Sequence, residues 1–122
     1  MKPRDSALKA KRFETAEKAR KVASLESMIR DFDLMASDLT RQIAAEEERT
    51  GIKDPAHFAY STFAKAAAQR RGNLLMSIAD LKAKLEAAKR DHEEAISELS
   101  KLEPVEDRDR HLRKGDPRAA AG

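Results

Sequence analysis

Residues 22–43 read VASLESMIRDFDLMASDLTRQI, and their apolar side chains return at alternating intervals of three and four: Val22, Leu25, Ile29, Phe32, Ala36, Leu39 and Ile43. Such intervals keep one side of an α-helix apolar, and their seven-residue repeat marks a helix that packs along a narrow seam against another helix. Taking Val22 as heptad position a puts Leu8, Ile29, Ala36 and Ile43 at a, with Leu25, Phe32 and Leu39 at d. Towards the beginning of the chain the seam is poorer, because Lys11 and Lys18 fall at d and Thr15 at a. Glu14 and Lys18, Glu17 and Lys21, and Glu26 and Arg30 are acid-before-base pairs four residues apart. They read as a solvated helix face.

Following the chain onward, Thr50-Gly51-Ile52-Lys53-Asp54-Pro55-Ala56-His57-Phe58-Ala59-Tyr60-Ser61 interrupts the pattern. Gly51 can take the left-handed conformation that ends a helix. Asp54-Pro55 offers an N-cap followed by proline at a first helical position, so a second helix begins either at Pro55 or after a short turn at Ser61. Its seam is Ala64, Ala67, Arg71, Leu74, Ile78, Leu81, Leu85, Ala88, His92, Ala95, Leu99 and Leu102, and Pro104 stops it. The expected architecture is all-α, a long two-helix antiparallel coiled-coil hairpin over residues 1–103, with helices at 5–49 and 61–103 and a bend at 50–60. Residues 104–122 lack sustained periodicity and read as a flexible charged tail. Each helix has about 43 residues and so spans about 65 Å. Pairing residues whose numbers total 110 sets each a layer against a d layer: Ile43 with Ala67, Ala36 with Leu74, Phe32 with Ile78, Ile29 with Leu81, Leu25 with Leu85, and Val22 with Ala88.

Composition agrees with this architecture. Of 122 residues 39% are charged, only five are aromatic, and Gly and Pro number four each, too few turn and bulky core residues for a sandwich, a barrel or an α/β domain. No apolar run approaches the roughly 20 residues of a membrane span, and the basic start is followed by no apolar segment of the kind a cleaved signal carries. The cytoplasm is the expected compartment. The net charge of +3 is unevenly spread, from +5 over residues 1–21 to −4 over 22–49, then +3, −2 and +1 over 50–73, 74–103 and 104–122. Alternating blocks suit end-specific electrostatics better than a uniformly basic nucleic-acid surface.

Catalytic and metal motifs are not apparent. His92-Glu93-Glu94-Ala95-Ile96 starts like the helical zinc motif but has Ile where a second His is required. Glycines at 51, 72, 115 and 122 cannot write a phosphate-cradling loop, and Glu46-Glu47-Glu48, pointing in different directions, reads as a solvated acidic turn. A two-helix stem offers little interior for a dry active site, so the expectation is a protein that is not an enzyme and needs no cofactor or metal. Phe13, Met28, Leu34, Met35, Leu75, Met76 and Ile96 lie off the seam and fit wide-seam packing, self-association or partner binding. Phe58, Tyr60 and Phe63, with nearby Arg70 and Arg71, form a candidate docking surface at the bend. Arg4, Lys9, Lys11 and Arg12 are the candidate contacts of the basic first turns.

The basic Lys9-Ala10-Lys11-Arg12-Phe13, the acidic Ala45-Glu46-Glu47-Glu48-Arg49, and Asp54-Pro55-Ala56-His57-Phe58-Ala59-Tyr60 leading into Ala66-Ala67-Ala68-Gln69-Arg70-Arg71 resemble the flagellar export protein FliJ family in its alphaproteobacterial form. The likeness covers most of residues 5–105 and is most distinctive at the interruption. It implies a cytoplasmic stalk-like component of the flagellar type III protein export apparatus, held at the inner membrane only through its partners and needed for motility. The implied partners are the export ATPase hexamer, the cytoplasmic domain of the export gate and export chaperones, and nucleic acid is not among them; the +5 charge of residues 1–21 suits the basic first turns to the ATPase, and the aromatic bend at the opposite end suits the gate. A self-associating structural coiled coil and an RNA-binding coiled-coil arm are the alternative functions.

Overall fold

The computed structural model describes residues 3–103; the expected tail, 104–122, lies outside the described residues. Two helices account for nearly all of them, α1 over Pro3–Thr50 and α2 over Thr62–Leu102, forming an all-α helical hairpin. Helix α1 thus begins two residues earlier than expected, with Pro3 in the first turn, where its missing N–H leaves no bond unmade.

The ends of the helices follow from local chemistry. Gly51 takes φ 75° and its N–H donates to the Glu47 carbonyl at 2.9 Å, the single bond of a left-handed cap. Of the two starts available to α2, the later one is used. Asp54 does not cap a helix: its carboxylate accepts from the Ala56 N–H (2.9 Å) and its carbonyl from the His57 N–H (3.0 Å), closing a turn around Pro55. A second turn follows, with the Tyr60 N–H donating to the His57 carbonyl at 3.0 Å. Ser61 is the N-cap, its Oγ accepting from the Ala64 N–H at 3.2 Å.

Packing divides the described residues into two units, 23–87, and 3–22 with 88–103. In the first, Leu25, Ile29, Ala36, Leu39 and Ile43 are buried together with Ala64, Ala67, Ile78 and Leu81, while Phe32, Leu74 and Leu85 are half-buried. Leu39, Ile43, Ala64 and Ala67 make its tightest cluster, flanked by Tyr60, Ala68 and Leu74. Small residues on α2 let the helices approach there; Ala64 is wholly inaccessible. Across this seam the Arg71 guanidinium donates to the Thr40 hydroxyl at 3.2 Å.

In the second unit Leu8, Ala88 and Ala95 are buried and Val22, His92 and Leu99 half-buried. The polar layers expected here are built from ion pairs: Lys11 Nζ meets the carboxylates of Glu98 on α2 and Glu14 on its own helix, and Lys18 reaches Glu14 at 3.4 Å. Thr15 turns its hydroxyl back to the Lys11 carbonyl at 2.8 Å, so Lys11, Thr15 and Lys18, the three polar seam residues of α1 here, each have a partner. Lys11 opposite Glu98 and Thr40 opposite Arg71 each sit within one residue of the expected register. Two details depart from expectation. Leu102 is exposed because it is the last residue of α2, where no further turn covers it, and Glu17 pairs with Arg20 rather than Lys21, a spacing of three serving in place of four.

Candidate interaction surfaces

The bend belongs to the unit of residues 23–87 and is held by two glutamates at the end of α1. Glu46 accepts from the Ser61 hydroxyl (3.1 Å) and from Arg49 Nε (3.2 Å); Glu47 accepts from the Tyr60 hydroxyl at 2.9 Å. Ser61 therefore does two things with one hydroxyl, capping α2 and tying it to α1. The Arg49 guanidinium beside Glu46, aided by Ser61, holds that carboxyl below the usual glutamate range and raises Arg49 in turn. The hydrogen bond to Glu47, with burial and the carboxylate's charge adding to it, pushes the Tyr60 phenol above its ordinary value. Only Glu48 of the acidic triple is the solvated residue expected, 82% exposed. Consecutive helical residues point about 100° apart, and two of those directions here meet the loop.

This clasp splits the aromatic trio. Tyr60 is half-buried against the apolar cluster and closes the turn through its bond to Glu47. Phe58 is 97% exposed and Phe63 56% exposed. The Phe58 ring stacks on His57 with centroids 4.7 Å apart, and His57 Nδ1 accepts from the Ala59 N–H at 3.0 Å, so the loop carrying Phe58 is pinned on both sides of that residue. Arg70 is exposed on α2, whereas Arg71 is half-buried and bonded to Thr40. Of the five bend candidates, Phe58, Phe63 and Arg70 are exposed, and Tyr60 and Arg71 are half-buried.

The basic candidates divide in the same way. Arg4, Lys9 and Arg12 are exposed on α1. Lys11 is not, its side chain being 16% exposed at the seam. Its pairing with Glu98 and Glu14 raises the ammonium pKa, and Lys11, with help from Lys18, holds Glu14 below its usual range. Heptad position d foretold this outcome for Lys11 better than membership of a basic cluster did. Phe13, 68% exposed, lies next to Arg12.

All seven off-seam apolar residues are exposed, from 41% at Met28 to 69% at Leu34 and Met76. Met28 and Met35 nevertheless flank the seam, lining grooves with Phe32 and Leu81 and with Leu39 and Leu74 respectively. Two open grooves lie among the described residues, one of about 240 Å³ lined by Met28, Phe32 and Leu81 among others, and one of about 100 Å³ beside Met35, Leu39 and Leu74. Among the described residues no three His, Cys, Asp or Glu side chains are grouped to hold a metal ion, and no helix is long and apolar enough to cross a membrane.

Taken together, these features define a two-helix all-α protein that presents its exposed chemistry on helix faces and a hydrogen-bonded loop. No family model, curated protein or solved structure matches the chain.

Proposed function

We propose that the chain is a non-catalytic coupling component of the flagellar type III export apparatus, binding the export ATPase hexamer through one unit and the cytoplasmic domain of the export gate through the other. The observation that carries this reading is Phe58, a large aromatic residue left 97% exposed on a loop pinned by side-chain hydrogen bonds on either side. Ordering a loop around a bare aromatic ring prepares a contact, because the entropy of immobilising it is spent before the partner arrives. Phe63 widens that contact. Arg4, Lys9 and Arg12 would meet the ATPase, Lys11 being occupied at the seam. The resemblance of the interruption and of the basic start to the FliJ family supplies the apparatus, and with it cytoplasmic location at the inner membrane through partners and contact with export chaperones.

The test separates the two contacts. A Phe58→Ala, Phe63→Ala variant should melt normally, still stimulate the export ATPase, and lose binding to the purified gate domain together with motility. An Arg4→Glu, Lys9→Glu, Arg12→Glu variant should keep its helix content and gate binding but associate with the ATPase more slowly and with weaker salt dependence. Undiminished gate binding by the first variant, or undiminished ATPase stimulation by the second, would remove the corresponding assignment.

A further inference from the structure

The two edges of the seam in residues 23–87 are finished differently. On the edge bearing Thr40, Arg71 bridges the helices. On the other edge, where Met28 and Met35 occupy heptad position g, two concavities follow one another at a spacing of one heptad. The first has Phe32 and Leu81 at its floor, the second Leu39 and Leu74. Phe32 and Leu74, although seam residues, remain only half-buried because this edge stays open. Met28 and Met35 at the rim are 41% and 47% exposed, and methionine adapts its shape to whatever apolar surface is offered.

The charges around the rim choose the occupant. On the α1 side Asp38 is already engaged, accepting from Arg41 (3.2 Å) and Gln42 (3.1 Å). On the α2 side stand Arg70 and Lys84, fourteen residues apart on one helical stripe, and neither forms an ion pair among the described residues. Asp80 is the one rim carboxylate not so engaged, leaving two available cations to one available acid.

We propose that this edge is a docking groove for an amphipathic partner helix that carries apolar side chains seven residues apart and carboxylates on its flank facing α2. Seven residues of helix advance about 10.5 Å, the interval between successive pockets lined by residues one heptad apart, so successive apolar side chains drop into successive pockets. Met28 and Met35 mould around them, and Arg70 and Lys84 meet the flanking carboxylates. The groove is independent of the Phe58 loop and stands whether or not the flagellar reading holds.

The experiment uses the full chain and two synthetic, helix-stapled peptides of about three heptads, alike in their leucine seam but flanked by Glu in one and by Lys in the other. Fluorescence anisotropy should show the Glu peptide binding at least about tenfold more tightly, and an Arg70→Glu, Lys84→Glu variant should abolish or invert that preference. Met35→Glu should weaken the Glu peptide by about tenfold or more with circular dichroism unchanged. Equal affinity for both peptides, or no binding of either at a concentration of about 1 mM, would overturn the proposal. So would sedimentation showing a dimer that excludes the peptide and dissociates on Met28→Lys, Met35→Lys substitution, since the occupant would then be a second copy.

Discussion

Replacing Leu39 with alanine tests whether the buried seam is intramolecular and how much of the fold rests on it. Leu39 is 7% exposed and packs with Ile43, Ala64 and Ala67. Losing three buried carbon groups at about 0.8 kcal/mol each forfeits about 2.4 kcal/mol of transfer free energy. A rigid interior would add a cavity cost of about 24 cal/mol per Å³. Here that addition should be small, because Leu39 also lines an open groove from which water and the Met35 side chain can reach the vacated volume. The expected loss is therefore about 2–3 kcal/mol, near the lower end for buried leucine. Urea unfolding followed by far-ultraviolet circular dichroism would read it as a midpoint lowered by about 1–2 M at an m-value near 1.5 kcal/mol/M. Met76→Ala, at a position 69% exposed, is the control and should change stability by less than about 0.5 kcal/mol. If the two variants unfold together, Leu39 does not pack within its own chain in solution and the intramolecular seam is wrong.

The two helix-associated glycines should respond in opposite directions. Gly51→Ala places a side chain at φ +75 with nothing to hit, so it should cost only the left-handed backbone penalty of about 1–2 kcal/mol, whereas Gly72→Ala, inside α2 and facing open space, should add about 0.5–1 kcal/mol in the same urea assay. Tyr60 is the only tyrosine, so its ultraviolet titration is unambiguous: the phenol should ionise above its ordinary value, Glu47→Gln should bring it down, and the stability it lends should be complete below the ordinary phenol pKa and disappear as pH rises through the folded value. Glu46 and Glu14, held low by Arg49 and Lys11, should lend stability above the ordinary glutamate range and lose it as pH falls through their folded values; acid unfolding of Glu46→Gln should show a smaller pH-dependent component. Charge reversal at Lys11 or Glu98 alone should lower the melting temperature, and the exchange Lys11→Glu, Glu98→Lys should recover part of the loss in low salt and less in high salt.

The sequence made the seam legible because burial across a pair of helices is a periodic property. Every apolar residue that heptad spacing assigned to the core is buried or half-buried except Leu102, and every one assigned off it is exposed. Register was legible for a related reason: the short interruption fixes which turns meet first, and one heptad cannot be slipped without setting Ile43 away from Ala67. What spacing could not reveal were interactions whose partners are far apart along the chain. Lys11 looked like part of a basic cluster when read beside Lys9 and Arg12, yet it lies opposite Glu98, eighty-seven positions away, and is drawn into the half-buried seam by that pairing. Glu46 and Glu47 looked solvated because a helix sends consecutive side chains in different directions; the loop returning across the end of α1 supplied partners in two of those directions. Ser61, standing immediately before an alanine-rich helix, was the local sign that the loop would be capped there, and Tyr60 beside it was thereby committed to the inside of the turn. The bend's candidate site is smaller than composition suggested for that reason. Three aromatic rings within six residues invite reading as one patch, but the hydroxyl that distinguishes tyrosine from phenylalanine finds Glu47, and Phe58 and Phe63 are left as the residues whose apolar area still faces outward.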